Sequence, residues 1–217
     1  AIVPTFWMSV SGRRTLARED STGESEGVAY EWLSTGHGHP GFLMAIKPTV
    51  FKAELEIADL SRSYYGSHSL TLARHSSETD ERMMVRLLAF ALHAHEQLRF
   101  TEGLANAEEP AVWQKDLTGA LELWIDLGHP EEKRLLKACG RSQQVVVYAY
   151  ASSTPIWWKG LSDRLRSTAN FSGFYLDPKG LAALAERTMK FQFTIQDGQI
   201  WLTSGEQTLE FEVKKLL

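Results

Sequence analysis

The chain has very little cysteine: Cys139 is the only one in 217 residues. No intrachain disulfide can form, and such a composition suits a reducing compartment, so a cytoplasmic location is expected. No apolar run approaches the roughly 20 residues that a membrane helix needs, and no membrane partner is expected. The amino terminus shows no apolar segment behind positive charge, so a secretory signal is not read there. An excess of one charge is also missing. The net charge is −4, which gives no global basic field toward nucleic acid or anionic lipid and leaves only a local basic patch for such contacts. The patterns GxGxxG after a strand, GxxxxGK(S/T), GxSxG, HExxH and CxxC are all absent, and nucleotide-binding, serine-hydrolase and zinc-protease readings drop with them. No internal repeat is present.

What is there suits an ordinary globular domain, with 43% hydrophobic and 23% charged residues in a chain long enough for one good core. Residues 1–43 are rich in Ser, Gly, Glu and Arg without sustained periodicity. They read as a poorly ordered N-terminal extension, with residues 44–217 as a single domain. His37 and His39 in the extension read as incidental rather than as a metal pair.

From Met44 the pattern sharpens. Val50 to Leu60 alternates as a half-buried strand, the polar run SRSYYGSHS reads as a turn, and a second strand follows around Leu70 and Leu72. Residues 77–100 carry the strongest helical stripe, Met84, Leu87, Leu88, Ala91 and Leu92, with Ser76 or Ser77 as cap. His93 and His95 fall on different faces of it and do not make a metal pair. Residues 101–116 read as an acidic loop with one turn. The run Gln144–Tyr150 is apolar enough for a central strand buried on both faces. Residues 154–167 read as a helix with Pro155 in its first turn, and residues 177–185 as a short helix. Phe171–Leu176 is a strand, Asp197-Gly198 centres a hairpin, and Leu209–Val213 adds a last strand. This order predicts an α/β fold with a mixed central sheet flanked by helices.

Asp116 to Lys137 organises the chemistry. Leu121, Leu123, Ile125 and Leu127 alternate with Glu122, Trp124 and Asp126, which puts both acids on the Trp124 side of one strand. Gly128 and Pro130 end the strand, and Pro130 opens the next helix with Glu131 and Glu132 in its first turn. Glu81, Asp116, Glu122 and Asp126 are therefore candidate ligands for a hard divalent cation, Mg²⁺ or Mn²⁺. Lys137 is the candidate for orienting water and stabilising charge on phosphate. An acid-rich strand end with ordinary surface ion pairs is the competing reading. A second constellation, Trp157, Trp158, Lys159, Arg164 and Arg166, offers indoles for base stacking and cations for phosphate. Its alternative is one tryptophan in the core and the other under a basic stem.

The runs SLTLARHSSETDERMMVRLLAFALHAHEQLRFTEGL, DLTGALELWIDLGHPEEKRLLKAC and RTMKFQFTIQDGQIWLT resemble the bacterial YaeQ family over about residues 44–217. That family resembles the PD-(D/E)XK nuclease superfamily, whose restriction-endonuclease-like core runs helix, three strands, helix, strand. The resemblance implies an acid from the leading helix, matched by Glu81, and a motif aspartate at Asp116, although Lys115 stands where the motif has proline. It implies a (D/E)xK element at Asp126-Leu127-Gly128, where Gly128 replaces the lysine. Lys137, or Lys133 as the alternative, would supply the amine, and Glu122 can stand in for Asp126. Two functions follow as expectations. One is a Mg²⁺- or Mn²⁺-dependent nuclease with Asp116, Asp126 and Lys137 as its machinery. The other is an inactive nuclease-like scaffold that binds nucleic acid or a protein partner.

Overall fold

The computed structural model describes residues 48–102, 104, 106 and 108–216. The expected N-terminal extension, its boundary with the main domain and the His37/His39 pair lie outside the described residues. Strands β1 (Thr49–Asp59) and β2 (Tyr64–Arg74) form an antiparallel hairpin paired along its full length, from Thr49 opposite Arg74 to Asp59 opposite Tyr64. The polar run expected as a turn is thus mostly strand. Only residues 60–63 turn, with Ser63 at φ 52°. A long partner imposes strand geometry on a sequence whose own propensity for it is weak.

β8 (Thr188–Gln196) lies parallel to β1 on its other side, and β9 (Gln199–Ser204) and β10 (Gln207–Glu212) continue as an antiparallel meander. The β8–β9 turn falls on Asp197 and Gly198, both left-handed at φ 51° and 83°, as a two-residue hairpin turn of this kind requires. This first sheet has the order β10-β9-β8-β1-β2. It is buried on one face only, and β8 alternates strictly between exposed and buried positions.

The second sheet has the order β11-β7-β6-β5-β4-β3. It comprises β3 (Leu98–Phe100), β4 (Val112–Lys115), β5 (Leu121–Leu127), β6 (Ser142–Ala149), β7 (Phe171–Tyr175) and β11 (Lys214–Lys215). β5, β6 and β7 are parallel, and the outer pairs are antiparallel. The architecture is therefore α/β with two mixed sheets, where a single central sheet was expected. β6 is buried on both faces as its apolar run implies: Val146 and Tyr148 enter one hydrophobic core, Val145 and Val147 the other.

Helix α1 (Asp80–Leu92) contacts β1 of the first sheet and β4 and β5 of the second. Every residue from Met83 to Ala91 is buried, which is what a helix clamped between two layers must show. It is shorter than the expected 77–100, and its cap is Thr79, whose side chain accepts from the Arg82 amide at 3.1 Å. On the far face of the second sheet lie α2 (Glu132–Cys139), α3 (Thr154–Gly160) and α4 (Asp163–Arg166). Their Leu135, Ala138, Trp158, Leu161 and Leu165 form the second core with Trp124 and Phe171. Pro130 precedes α2 by two residues instead of opening it, since Glu131 takes the cap position. The single helix expected over 154–167 is broken at Leu161–Ser162, where the Ser162 hydroxyl caps α4 and its amide donates to Glu132 Oε2 at 3.1 Å. Residues 181–184 form a 3-10 turn. After β10 the chain crosses from one sheet to the other. The Val213 amide donates to Gly198 O and the Leu216 amide to Gly173 O, both at 2.9 Å.

Candidate functional site

β5 carries the acids, and its local geometry separates them. β4 pairs with β5 in two registers, Gln114 opposite Leu123 but Lys115 opposite Leu121, so Glu122 is the extra residue of a β-bulge. The bulge breaks the alternation read from sequence. Glu122 lies with Leu123 on the wall of a polar cleft of about 700 Å³, beside Arg62, His93, His95 and Gln114, and accepts from Gln114 Nε2 at 2.6 Å. Trp124 and Asp126 turn instead to the α2 face. The expected common side for Glu122 and Asp126 is therefore corrected.

Asp116 sits in the β4–β5 turn, where its Oδ1 accepts from the Thr118 hydroxyl at 2.7 Å, the Thr118 amide at 2.8 Å and the Ala120 amide at 2.9 Å. These bonds, led by the hydroxyl of Thr118, hold its carboxyl below the usual range. Asp116 is a turn-closing side chain at the start of β5, whereas Asp126 is near its end. Five residues at roughly 3.3 Å each place the two ends about 17 Å apart.

Asp126 is buried. Arg134 from the first turns of α2 grips it with Nε to Oδ2 at 2.8 Å and Nη2 to Oδ1 at 2.9 Å, and Trp124 Nε1 donates to Oδ2 at 2.9 Å. Arg134 also donates to Glu109 O at 2.6 Å. A planar guanidinium matches both carboxylate oxygens at once, which an ammonium cannot do. Donating these hydrogen bonds to Asp126 raises the Arg134 pKa. Gly128, where the nuclease motif would carry lysine, has φ 79°, a conformation that lysine adopts only with strain.

Glu81 is exposed at the start of α1. Burial pushes the Tyr150 hydroxyl up, with opposing influences from Arg82 on one side and Glu81 and Glu78 on the other. Tyr150 in turn lies against Gly128. Asp126 lies near the carboxyl end of β5, while Asp116 and Glu122 lie toward its start. Lys137 pairs with the exposed Glu108, and Arg141 approaches that same carboxylate at 3.8 Å. Among the described residues no group of three or more His, Cys, Asp or Glu side chains is placed to hold a metal ion.

The second constellation also divides. Trp158 is buried, stacked on Phe171 with ring centroids 5.9 Å apart, and its indole fills the space a Cβ at Gly173 would need. Lys159 and Arg164 are exposed, and Arg166 pairs with Asp163. Trp157 stacks on His129 at 5.0 Å and donates to Pro130 O at 3.1 Å.

Two features escaped sequence reasoning. Arg134 is one, since the nuclease motif points to a lysine; its signal in the sequence is a strand-end aspartate eight residues before an arginine on the following helix. The other is a contact at the C-terminal end of α1 between the half-buried His93 and the buried Tyr148. His93 Nε2 and the Tyr148 hydroxyl are 2.8 Å apart. Burial pushes the imidazole down to about 4 and the phenol well above its ordinary value. No local period announces that contact, since its partners are 55 residues apart. No described helix is long and apolar enough to cross a membrane.

The family model described as YaeQ protein matches residues 44–213. The uncharacterized YaeQ protein of Salmonella typhi is 45% identical over 174 residues, covering 78% of this chain and 96% of its own. That of Escherichia coli K12 is 46% identical over 171 residues, covering 77% and 94%. The crystal structure of a YaeQ protein from Xanthomonas axonopodis pv. citri superposes with TM-score 0.75 at 45% identity, covering 77% of this chain and 97% of that one. One from Pseudomonas syringae gives 0.74 at 34% identity, covering 78% and 96%. With most of its length matched by the family model and by relatives at this identity, the chain belongs to the YaeQ family.

Proposed function

We propose that this chain is a nucleic-acid-binding protein on a restriction-endonuclease-like core, with no phosphodiester hydrolysis. The fold reading is supported by the order α1, β3, β4, β5, α2, β6, which follows the helix, three strands, helix and strand of the PD-(D/E)XK superfamily. The non-hydrolytic reading rests on one observation: both oxygens of Asp126, the best (D/E)xK acid, are bound by Arg134. A guanidinium already neutralises this carboxylate, and a divalent cation would have to displace it at the cost of a desolvated charge pair. Asp116 and Glu122, at the other end of β5, cannot complete a ligand set with Asp126.

A hydrolytic reading keeps Asp126, near the carboxyl end of β5, as its metal ligand. In that reading Mg²⁺ or Mn²⁺ would need Arg134 to swing away, and Lys137 to leave Glu108 for the reacting phosphate. Titration calorimetry with MgCl₂ and MnCl₂, with cleavage assays on single- and double-stranded DNA and RNA, separates the two. The expected result is no saturable metal heat in the millimolar range and intact substrates. Metal-dependent cleavage that Asp126→Asn removes, in a variant that still folds, would overturn the proposal in favour of a nuclease.

A further inference from the structure

The binding reading above leaves open where nucleic acid sits and in which form, and the inference here rests on that reading. We infer that the α2-side face of the second sheet, along its β3–β4–β5 edge, is a platform for single-stranded nucleic acid. Trp113 is its stacking surface, and Lys115, Lys137 and Arg141 are its phosphate contacts.

The register builds this face. Arg99, Trp113 and Trp124 are directly opposite one another across β3, β4 and β5, so they form one cross-strand row. The neighbouring rows face the other way: Leu98, Val112, Leu123 and Ile125 belong to the core between the sheets. On the α2 side Trp124 is buried beneath that helix. Trp113, one strand further out, is only half-buried, and Arg99 on the next strand is exposed. The Lys115 ammonium lies over the Trp113 ring, 3.6 Å from its centroid.

α2 supplies the adjoining wall. A groove of about 470 Å³ is floored by Trp124 and walled by Lys133, Arg134, Lys137 and Arg141 against Glu108 and Glu131. Lys137 lies in the last turn of α2 and Arg141 just past its end, and both approach the Glu108 carboxylate. Arg141 sits over the Trp124 ring at 5.7 Å, which fixes its guanidinium at the rim. The side chains of Lys137 and Arg141 are 56% and 44% exposed and Glu108 is 67% exposed, so their pairing is loose and a phosphate can replace the carboxylate.

The chemistry selects the occupant. Duplex DNA hides the faces of its bases, so a half-exposed indole on a flat sheet has nothing to stack on there. An unstacked base does offer a π face, and a basic row beside it follows the backbone. A base on Trp113 displaces the Lys115 ammonium toward the phosphates. The site is distinct from the region of Lys159 and Arg164, where Trp158, the tryptophan expected to stack on a base, is buried.

The test is fluorescence anisotropy with a labelled oligo-dT and oligo-U of about 20 nucleotides, a length beyond one typical single-strand site, and with a duplex of equal length, over a salt series. Single strands should bind more tightly than the duplex. Trp113→Ala should weaken single-strand binding about 5- to 100-fold, with Trp113→Phe recovering most of it. Lys137→Ala, at an exposed position, should reduce the magnitude of the salt slope by about 0.7. Arg164→Ala should change neither. If the wild type binds and both Trp113→Ala and Lys137→Ala bind as well as it does, the platform is overturned and the binding function stands. A preference for duplex overturns the single-strand assignment. If the wild type binds none of the three probes, the binding function falls as well, and capture of an acidic protein in their place would also count against both.

Discussion

Arg134 determines how Asp126 can act. Its removal leaves a buried carboxylate whose remaining side-chain donor is Trp124 Nε1, so Arg134→Ala should lower unfolding free energy by about 3 kcal/mol, read by urea denaturation. Asp126→Asn in the same background should restore part of that loss. Full additivity of the two changes would mean that the pair does not interact. His93 makes a second residue-scale prediction. Its folded-state pKa of about 4 lies below the ordinary 6.5, with burial as the main cause and Arg62 adding to it. Between those values the unfolded chain holds a proton that the folded chain does not. Stability is therefore intact above pH 6.5 and declines as pH falls toward 4, by at most about 1.4 kcal/mol per pH unit from this group. His68 and His129, also lowered mainly by burial, act with the same sign. In His93→Gln the loss between pH 7 and pH 5 should be visibly shallower; an unchanged loss would assign the acid sensitivity elsewhere.

At the scale of elements, the second core depends on one close approach. An added Cβ at Gly173 would lie 2.5 Å from the Trp158 ring, which is itself held against Phe171. Gly173→Ala should destabilise by about 1–3 kcal/mol, while Gly160→Ala, where a Cβ meets nothing within 4 Å, should cost far less. These elements differ in how far sequence announced them. The doubly buried β6, the half-buried β1 and the Asp-Gly hairpin were legible because each depends on a pattern within about ten residues. β3 and β4, of three and four residues, are shorter than any window in which a period can be counted. The bulge at Glu122 was invisible because it is a property of the β4–β5 pair, and it decided that two acids of the same parity would face apart. The break at Ser162 comes equally from a partner, the Glu132 carboxylate on α2. The candidate site was legible in its residue types and not in its assembly, which depends on these long-range pairings.

At the scale of the whole molecule, α1 is the shared filling of two sheets. Phe90, 1% exposed, belongs to a core that draws residues from β1, β8 and β9 on one side and β4 and β5 on the other. Phe90→Ala should cost about 3–5 kcal/mol, and native-state hydrogen exchange should show protection falling in both sheets together. Loss confined to one sheet would mean that they unfold separately. The crossing from β10 to β11 ties the same two layers from outside, through the Val213 amide on Gly198, the β11 ladder on β7 and the Leu216 amide on Gly173. An unfolding machine that grips the carboxyl end therefore loads the two-residue β11 first and β10, in the other layer, after it. The tie between the two layers is thus the first structure such a pull meets, ahead of either main sheet.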